Sequence, residues 1–305
     1  MSRIAYVNGR YVPHGEAYVH IEDRGYQFAD GVYEVVAVRD GNLIDSEWHM
    51  ERLQRSLSEL QISSPMSPAA LEVVFRETVR RNRVHTGIVY IQISRGVARR
   101  DHPFPNPAVR AALVVTARAT PPPSPKLIEE GIAVISQPDI RWDRCDIKSV
   151  SLLPNVLVKQ AARSQGAFEA WQVDANGYVT EGGSTNAWII NSEGHLVTRP
   201  VENAILNGIT RRRLIELAKG QGITVEERPF SLEEAKSARE AFLTSTTSFV
   251  TGVVKIDDTI LGNGRPGSRT QELRQLYMDF MAASVPQDVQ PPVRQNGQQE
   301  ASSHL

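Results

Sequence analysis

The chain is poor in cysteine, with one, Cys145, among 305 residues. An intrachain disulfide is therefore excluded, and a cysteine-based metal centre has no support. Lysine is almost as scarce. There are six, at positions 126, 148, 159, 219, 236 and 255, and none earlier, so arginine carries nearly all the positive charge. No charge of one sign dominates: 34 basic residues face 35 acidic ones, for a net charge of -1. That balance gives no support to a nucleic-acid or polyanion partner. No apolar run reaches membrane-spanning length, and "MSRIAYVNGRYVPHG" at the start lacks the apolar core of a secretory signal. The expectation is a soluble cytoplasmic protein with no membrane contact and no metal.

The hydrophobic content, 41%, suffices for a substantial core, and the length suits one large domain or two modest ones. "IAYVNGRYV" and "GVYEVVAVRDGNLI" alternate apolar and polar residues around Asn8-Gly9 and Asp40-Gly41, as hairpins do. "EWHMERLQRSLSELQI" changes to helical spacing, with Met50, Leu53, Leu57 and Leu60 on one stripe. "AALEVVFRETVRRNRV" follows with Leu71, Val74, Phe75 and Val79. "GIVYIQISRG" and "RAALVVTAR" read as strands. Residues 1–118 thus form an expected α+β domain of mostly antiparallel strands. The proline-rich "ATPPPSP", 119–125, is an expected linker, because consecutive prolines hold the chain extended. Short strands and helices alternate over 126–283. The polar end, 284–305, is rich in Pro and Gln and reads as a disordered tail.

Lys148, in "RWDRCDIKSVSLLPN", raises the chemical question. Most lysines are solvated surface groups. Here Ile147, Val150, Leu152 and Leu153 suggest buried surroundings in a stretch of strand and turn. Burial disfavours an ammonium, and a neutral lysine is a nucleophile that condenses with carbonyls, which arginine cannot do. Lys159 competes, but it falls in a helical pattern where a solvated lysine is ordinary. Glu181 precedes Gly182-Gly183 in "YVTEGGSTNAWII". It is either an exposed turn residue or a carboxylate held beside a cationic ligand, the glycines allowing close approach or positive φ. "LNGITRRRLIELAKGQG" opens a helix whose first N–H groups suit an anion, and "LTSTTSFV" sets hydroxyls at a strand end. Each is weak alone. Together they ask for a phosphorylated aldehyde with a basic ring nitrogen, which is pyridoxal 5′-phosphate.

"EDRGYQFADGVYEVV", "ISRGVARRDHPFP", "RWDRCDIKSVSLLPNVLVKQ", "VTEGGSTNAWII", "ILNGITR" and "FLTSTTS" occur in that order across roughly residues 3–280. This succession resembles the fold-type IV (class IV) aminotransferases, most of all their D-amino acid branch. The resemblance implies a two-domain α+β architecture, with a small N-terminal α+β domain and a larger C-terminal mixed α/β pseudo-barrel domain. It implies that Lys148 bonds the cofactor and that Glu181 faces the pyridine nitrogen. Arg52 would hold the phosphate, with Leu206, Ile209, Thr210, Ser245 and Thr246 completing the cofactor's surroundings and Ser184 close by. Tyr33 would stand at the substrate. Arg100 and His102 would hold the substrate carboxylate, donated across a homodimer by the partner subunit. Three features depart from the pattern: Ala29 stands where glycine is common, "LLPN" carries a proline after the lysine, and the tail has no counterpart.

The expected reaction moves an amino group between D-amino acids (D-alanine, D-glutamate) and 2-oxo acids (2-oxoglutarate, pyruvate). The alternatives are a branched-chain L-amino acid aminotransferase or an (R)-amine transaminase of the same fold, and an aminodeoxychorismate lyase. The Arg100–His102 spacing favours the D-enzyme. A module that only binds the cofactor would lack the catalytic groups, and Lys148 and Glu181 are both present.

Overall fold

A computed structural model describes residues 3–284. The tail expected over 284–305 lies, from 285 onward, outside the described residues. The first 119 residues give strands β1 (Ile4–Val7), β2 (Arg10–Pro13), β3 (Gly31–Arg39), β4 (Asn42–Leu43), β5 (Thr86–Ser94) and β6 (Ala112–Ala119). Helices α1 (Arg24–Phe28), α2 (Ser46–Glu59) and α3 (Pro68–Arg81) interrupt them. The strands form one antiparallel sheet in the order β2-β1-β6-β5-β3-β4. Both expected hairpins form with two-residue turns. Asn8 and Gly9 have φ of 46° and 100°, and Asp40 and Gly41 have 47° and 78°. Positive φ at both central positions matches the twist of the flanking strands.

The helical stripes face this sheet. Leu53 and Leu57 of α2 and Leu71, Phe75 and Val79 of α3 are buried against Val36, Ile91 and Val115, with Met50 and Leu60 at the margin. Burying one such side chain contributes about 1.5–3 kcal/mol. Ile147, far along the chain, belongs to the same core.

The proline segment is shorter than its sequence suggests. β6 runs to Ala119, and Pro125 opens the helix α4 (Pro125–Glu130), whose first turn is capped by the Ser124 hydroxyl. Proline is pre-shaped for the first helical position, where its missing N–H has no partner to lose. Beyond it come β7 (Ile132–Pro138), α5 (Leu153–Ser164), β8 (Glu169–Val173), β9 (Val179–Gly182), β10 (Asn186–Ile190), β11 (Leu196–Thr198), α6 (Ile209–Gly220) and β12 (Val225–Glu227). Then follow α7 (Leu232–Ser237), β13 (Glu240–Ser245), β14 (Phe249–Ile256), β15 (Thr259–Ile260) and α8 (Ser268–Ala283).

These nine strands form a mixed sheet, ordered β12-β11-β10-β13-β14-β7-β8-β9 with β15 on β14. Its parallel pairs are β11–β12, β14–β7 and β7–β8. One core covers one group of its side chains. A second core packs α6 and α8 onto the sheet and takes in Ala37 and Ile44 from the first domain. The architecture is thus two-domain α+β. Ion pairs cross between the domains, Arg55 to Asp146 at 2.5 Å and Arg213 to Asp45 at 2.6 Å. No helix among the described residues is long and apolar enough to cross a membrane.

Candidate active site

A cavity opens between the two domains. Its walls include Tyr33, Arg52, Lys148, Glu181, Ser184 and Leu206, together with Ile209, Thr210, Ser245 and Thr246. Ten of the twelve residues singled out in the sequence therefore meet in one place. Arg100 and His102 do not. They lie exposed on the loop after β5, beside Phe28, whose ring is 5.2 Å from the Arg100 guanidinium and 5.5 Å from the His102 ring.

Lys148 is positioned by the first domain rather than by the sheet of the second. β4 pairs only with Val38 and Arg39, so the first half of β3 has a free edge. The segment around Lys148 fills it: Ser149 bridges Val32, the Tyr33 N–H donates to the Lys148 carbonyl at 2.9 Å, and the Val150 N–H donates to the Gly31 carbonyl at 3.0 Å. This places Lys148 Nζ 4.1 Å from the centre of the Tyr33 ring. The segment is not a regular strand, and its apolar neighbours are not uniformly buried. Ile147 is, but Leu153 is 69% exposed at the start of α5. Lys148 owes its placement to the β3 edge and the Tyr33 ring, not to a run of buried neighbours. Lys159 also departs from expectation. It sits on α5, but its Nζ reaches the fully buried Glu169 at 3.2 Å.

Glu181, at the end of β9, is buried and fully engaged. One carboxylate oxygen takes an ion pair from Arg141, and the other accepts from Asn186 Nδ2 at 3.0 Å and from the Leu206 N–H at 3.1 Å. Burial pushes its carboxyl up, against the opposing pull of Arg141. Arg141 is itself shared, since it also pairs with Asp139 at 2.7 Å. Gly182 and Gly183 serve close approach rather than positive φ. A Cβ on Gly182 would meet Thr185 Oγ1 at 2.1 Å, and one on Gly183 would crowd Lys159. Behind them Glu169 accepts from the Ser184 N–H and hydroxyl, tying the turn down.

Arg52 reaches the cavity from α2. Its Nε and Nη2 donate to the two Glu34 oxygens at 2.7 and 2.9 Å, and Nη1 donates to the Asn207 carbonyl at 2.8 Å. His49 Nδ1 lies 2.7 Å from Glu34. Burial by itself would raise the Glu34 carboxyl. Arg52's charge and hydrogen bonds, with His49's, outweigh it and hold the group well below the usual carboxylate range. Burial pulls the His49 imidazole down, so it supplies a hydrogen bond rather than a charge at neutral pH. Beside Arg52, α6 begins at Gly208 without a side-chain cap. A Cβ at Gly208 would stand 2.0 Å from Asn186 Oδ1, so glycine alone fits where the first N–H groups of the helix are left open.

Sequence reasoning missed the second partner in each pair: Arg141 and Asp139 at Glu181, Glu34 and His49 at Arg52, and Glu169 behind Ser184. One signal was available. Glu34 alternates with Val32, Val36 and Val38, which puts a charge on the inward face of a strand. The single cysteine lines the cavity too, but burial pushes its thiol up to about 12, leaving it protonated and inert at neutral pH.

Residues 31–256 match the family described as Amino-transferase class IV. The chain belongs to that family. It is 42% identical over 276 residues to a D-alanine aminotransferase of Staphylococcus haemolyticus, covering 90% of this chain and 97% of the relative. It is 40% identical to one from Bacillus licheniformis, covering 88% and 93%. Among solved structures, a branched-chain amino acid aminotransferase of Escherichia coli superposes with a TM-score of 0.84. It shares 25% identity and covers 92% of this chain and 94% of that one. Another branched-chain enzyme of this fold was solved with pyridoxamine 5′-phosphate. As a class IV aminotransferase, the chain is an enzyme of a pyridoxal-phosphate-dependent family, built on the fold-type IV architecture.

Proposed function

We propose that this aminotransferase acts on D-amino acids, exchanging the amino group between D-alanine or D-glutamate and 2-oxo acids such as 2-oxoglutarate and pyruvate. It would do so as a cytoplasmic homodimer with pyridoxal phosphate in the interdomain cavity. The observation that carries the reading is the meeting of Lys148, Glu181 and Arg52 in that one cavity. The residues fit the cofactor: an amine for its aldehyde, a buried carboxylate for its ring nitrogen, and an arginine beside an open helix N-terminus for its phosphate. Similarity to the two D-alanine aminotransferases supports the D-amino acid preference.

When bound, pyridoxal phosphate supplies an electron sink for the charge left on the amino acid Cα. The protein's own groups supply the rest. Glu181 would keep a proton on the ring nitrogen. Lys148 Nζ, over Tyr33, would hold the cofactor's aldehyde and, once the substrate amine has displaced it, would be a free amine able to take the proton from the substrate Cα. Arg52 and the first N–H groups of α6, with Thr210, Ser245 and Thr246 around them, fix the phosphate and through it the ring. Leu206 and Ile209 close the wall, and Ser184 sits on the turn that Glu169 secures. In this reading the exposed Arg100 and His102 serve the partner subunit's cavity, where they bind the substrate carboxylate.

The branched-chain enzymes among the solved structures of this fold make an L-specific reading the competitor. A chirality-resolved assay separates them. Incubation with D-alanine and 2-oxoglutarate should yield pyruvate and D-glutamate, whereas L-leucine, L-valine and L-isoleucine should give little. Arg100→Ala should lower kcat/KM for D-alanine roughly 10- to 150-fold, the worth of a charge-assisted hydrogen bond of about 1.5–3 kcal/mol, and spare simple primary amines. Faster turnover of L-leucine than of D-alanine would overturn the D-specific reading, and absence of glutamate from any donor would indicate a lyase instead.

A further inference from the structure

The arginines with the most deeply buried side chains among the described residues each meet a carboxylate: Arg24 and Arg95 share Asp30, Arg52 holds Glu34, Arg141 holds Glu181 and Asp139, and Arg211 holds Glu227. Arg274, half-buried on α8, does not. Its Nη1 donates to the carbonyl oxygens of Val250 at 2.6 Å and Ser248 at 3.5 Å. Among the described residues no acid pairs with it, and burial pulls its guanidinium down unopposed. A cation withdrawn from water without an anion is costly, and carbonyl dipoles offset only part of that cost. Its Nε and Nη2 make no hydrogen bond among the described residues.

Arg274 lines a second cavity, on the far side of the loop that follows β13. The proline segment, the end of β3 and helices α4 and α8 enclose it. Ile88, Ile128, Phe249, Met278 and Met281 make its surface mostly apolar. Among the described residues its charged lining is Arg39 and Arg274, both cationic, with no acid. Arg39 has an acidic neighbour, Asp40, 3.6 Å away, so the uncompensated charge is that of Arg274. Thr246 lines this cavity as well as the first, and Ser248, which takes a hydrogen bond from Arg274, closes the same loop. An occupant would therefore touch the back of the loop whose front faces the cofactor cavity.

We propose that this interdomain cavity is a binding site for a small apolar carboxylate, its ring or chain lodged among Ile128, Phe249 and Met278 and its carboxylate on Arg274. The pairing follows from the lining. An apolar surface with one unpaired guanidinium and no acid selects a molecule that is apolar at one end and anionic at the other. The site is separate from the amino-group transfer chemistry and needs neither Lys148 nor Glu181.

Benzoate is the probe, titrated calorimetrically into the cofactor-loaded enzyme. Benzyl alcohol, which lacks the charge, and acetate, which lacks the ring, are the controls. Saturable benzoate binding should weaken roughly 10- to 150-fold in Arg274→Met, the worth of a charge-assisted hydrogen bond. It should survive Arg100→Ala, which removes the carboxylate site proposed for the substrate. Ile128→Trp keeps the arginine and fills the cavity, so it should also abolish binding, which covers the case in which Arg274→Met fails to fold. Any of four results would overturn the proposal: no saturable binding by the wild type, benzyl alcohol binding as tightly as benzoate, loss of binding in Arg100→Ala, or unchanged binding in Ile128→Trp.

Discussion

The cavity has two buried arginine–carboxylate anchors, and they are built in opposite proportion. At the Glu181 anchor one arginine, Arg141, is divided between two carboxylates, Glu181 and Asp139. At the Arg52 anchor one arginine faces one carboxylate, Glu34, with a neutral histidine behind it. The first keeps an excess of negative charge. The second is balanced, and the open start of α6 lies beside it. One short turn serves both, since Leu206 gives its N–H to Glu181 and Asn207 gives its carbonyl to Arg52. Burial pushes both carboxyls up; at Glu181 the shared Arg141 does not overcome it, whereas at Glu34 Arg52 and His49 together do. A surplus of negative charge suits a protonated ring nitrogen, and a neutral pair beside free N–H groups suits a phosphate. The polarity of the cavity thus lies in how many carboxylates each arginine must satisfy.

The sharpest break in this comparison is Glu181→Gln. It keeps the shape and deletes the surplus charge. Turnover should fall about 10²–10³-fold, or ~3–4 kcal/mol of barrier, while cofactor still binds. Stopped-flow absorbance of the half-reaction with D-alanine measures the step directly, and a loss under about twofold (~0.4 kcal/mol) would remove Glu181 from the chemistry. Glu34→Gln breaks the other anchor. It leaves Arg52 buried without its counter-charge, which should cost about 3 kcal/mol of stability. Cofactor should dissociate more readily, yet the loaded enzyme should keep far more turnover than Glu181→Gln. Denaturant midpoints and equilibrium dialysis of the cofactor report both effects, and equal kcat losses in the two variants would show that the anchors are not specialised.

A pH series sharpens the contrast, because the two carboxyls should act with opposite sign. The unshifted glutamate value is 4.5. Glu34 lies below it when folded, so the unfolded chain binds the extra proton. Its contribution to stability is complete above pH 4.5 and is lost as the pH falls through the folded value. Glu181 lies above 4.5 when folded, so the native state binds the extra proton, and stability is lost as the pH rises from 4.5 through the folded value. In the cofactor-free protein, Glu181→Gln should therefore raise the melting temperature at neutral pH by a few degrees, whereas Glu34→Gln lowers it and flattens the acid limb. A fall in both would mean that Arg141 holds Glu181 ionised without penalty.

The same contrast explains what the sequence revealed. Lys148 and Glu181 sit in short ordered motifs and Arg52 on a strongly periodic helix, and ten singled-out residues line one cavity. The helical stripes of α2 and α3 were legible because periodicity records one face against one core. The second partners were not. Asp139 and Arg141 are two residues apart, a spacing that in sequence looks like a solvated pair, and it becomes an anchor only because β9 brings Glu181 across. Glu34 and Arg52 are 18 residues apart on different elements. The setting of Lys148 was misread for a similar reason: what holds it is the unpaired edge of β3, a feature of sheet order rather than of neighbouring residues.

The smallest expected effect concerns neither anchor and so calibrates both. Ala29 closes α1 in the left-handed region, with φ 54° and ψ 26°, and delivers the chain into β3, which carries Tyr33 and Glu34. A non-glycine residue there costs about 1–2 kcal/mol, because its Cβ crowds the following carbonyl. Glycine removes that strain but gives the unfolded chain more freedom, which takes back ~0.4–1 kcal/mol. Ala29→Gly should therefore stabilise the protein by about 0.5–1 kcal/mol, raising the melting temperature by roughly 1–3 °C. Cofactor affinity and kcat should stay at wild-type levels, because neither anchor moves. Calorimetric melting with and without cofactor tests this. An unchanged or lower melting temperature would mean that the Ala29 methyl packs well enough to offset its backbone strain. An unequal shift with and without cofactor would mean that the turn before β3 is coupled to the cavity, and the effects of Glu34→Gln could then not be assigned to the anchor alone.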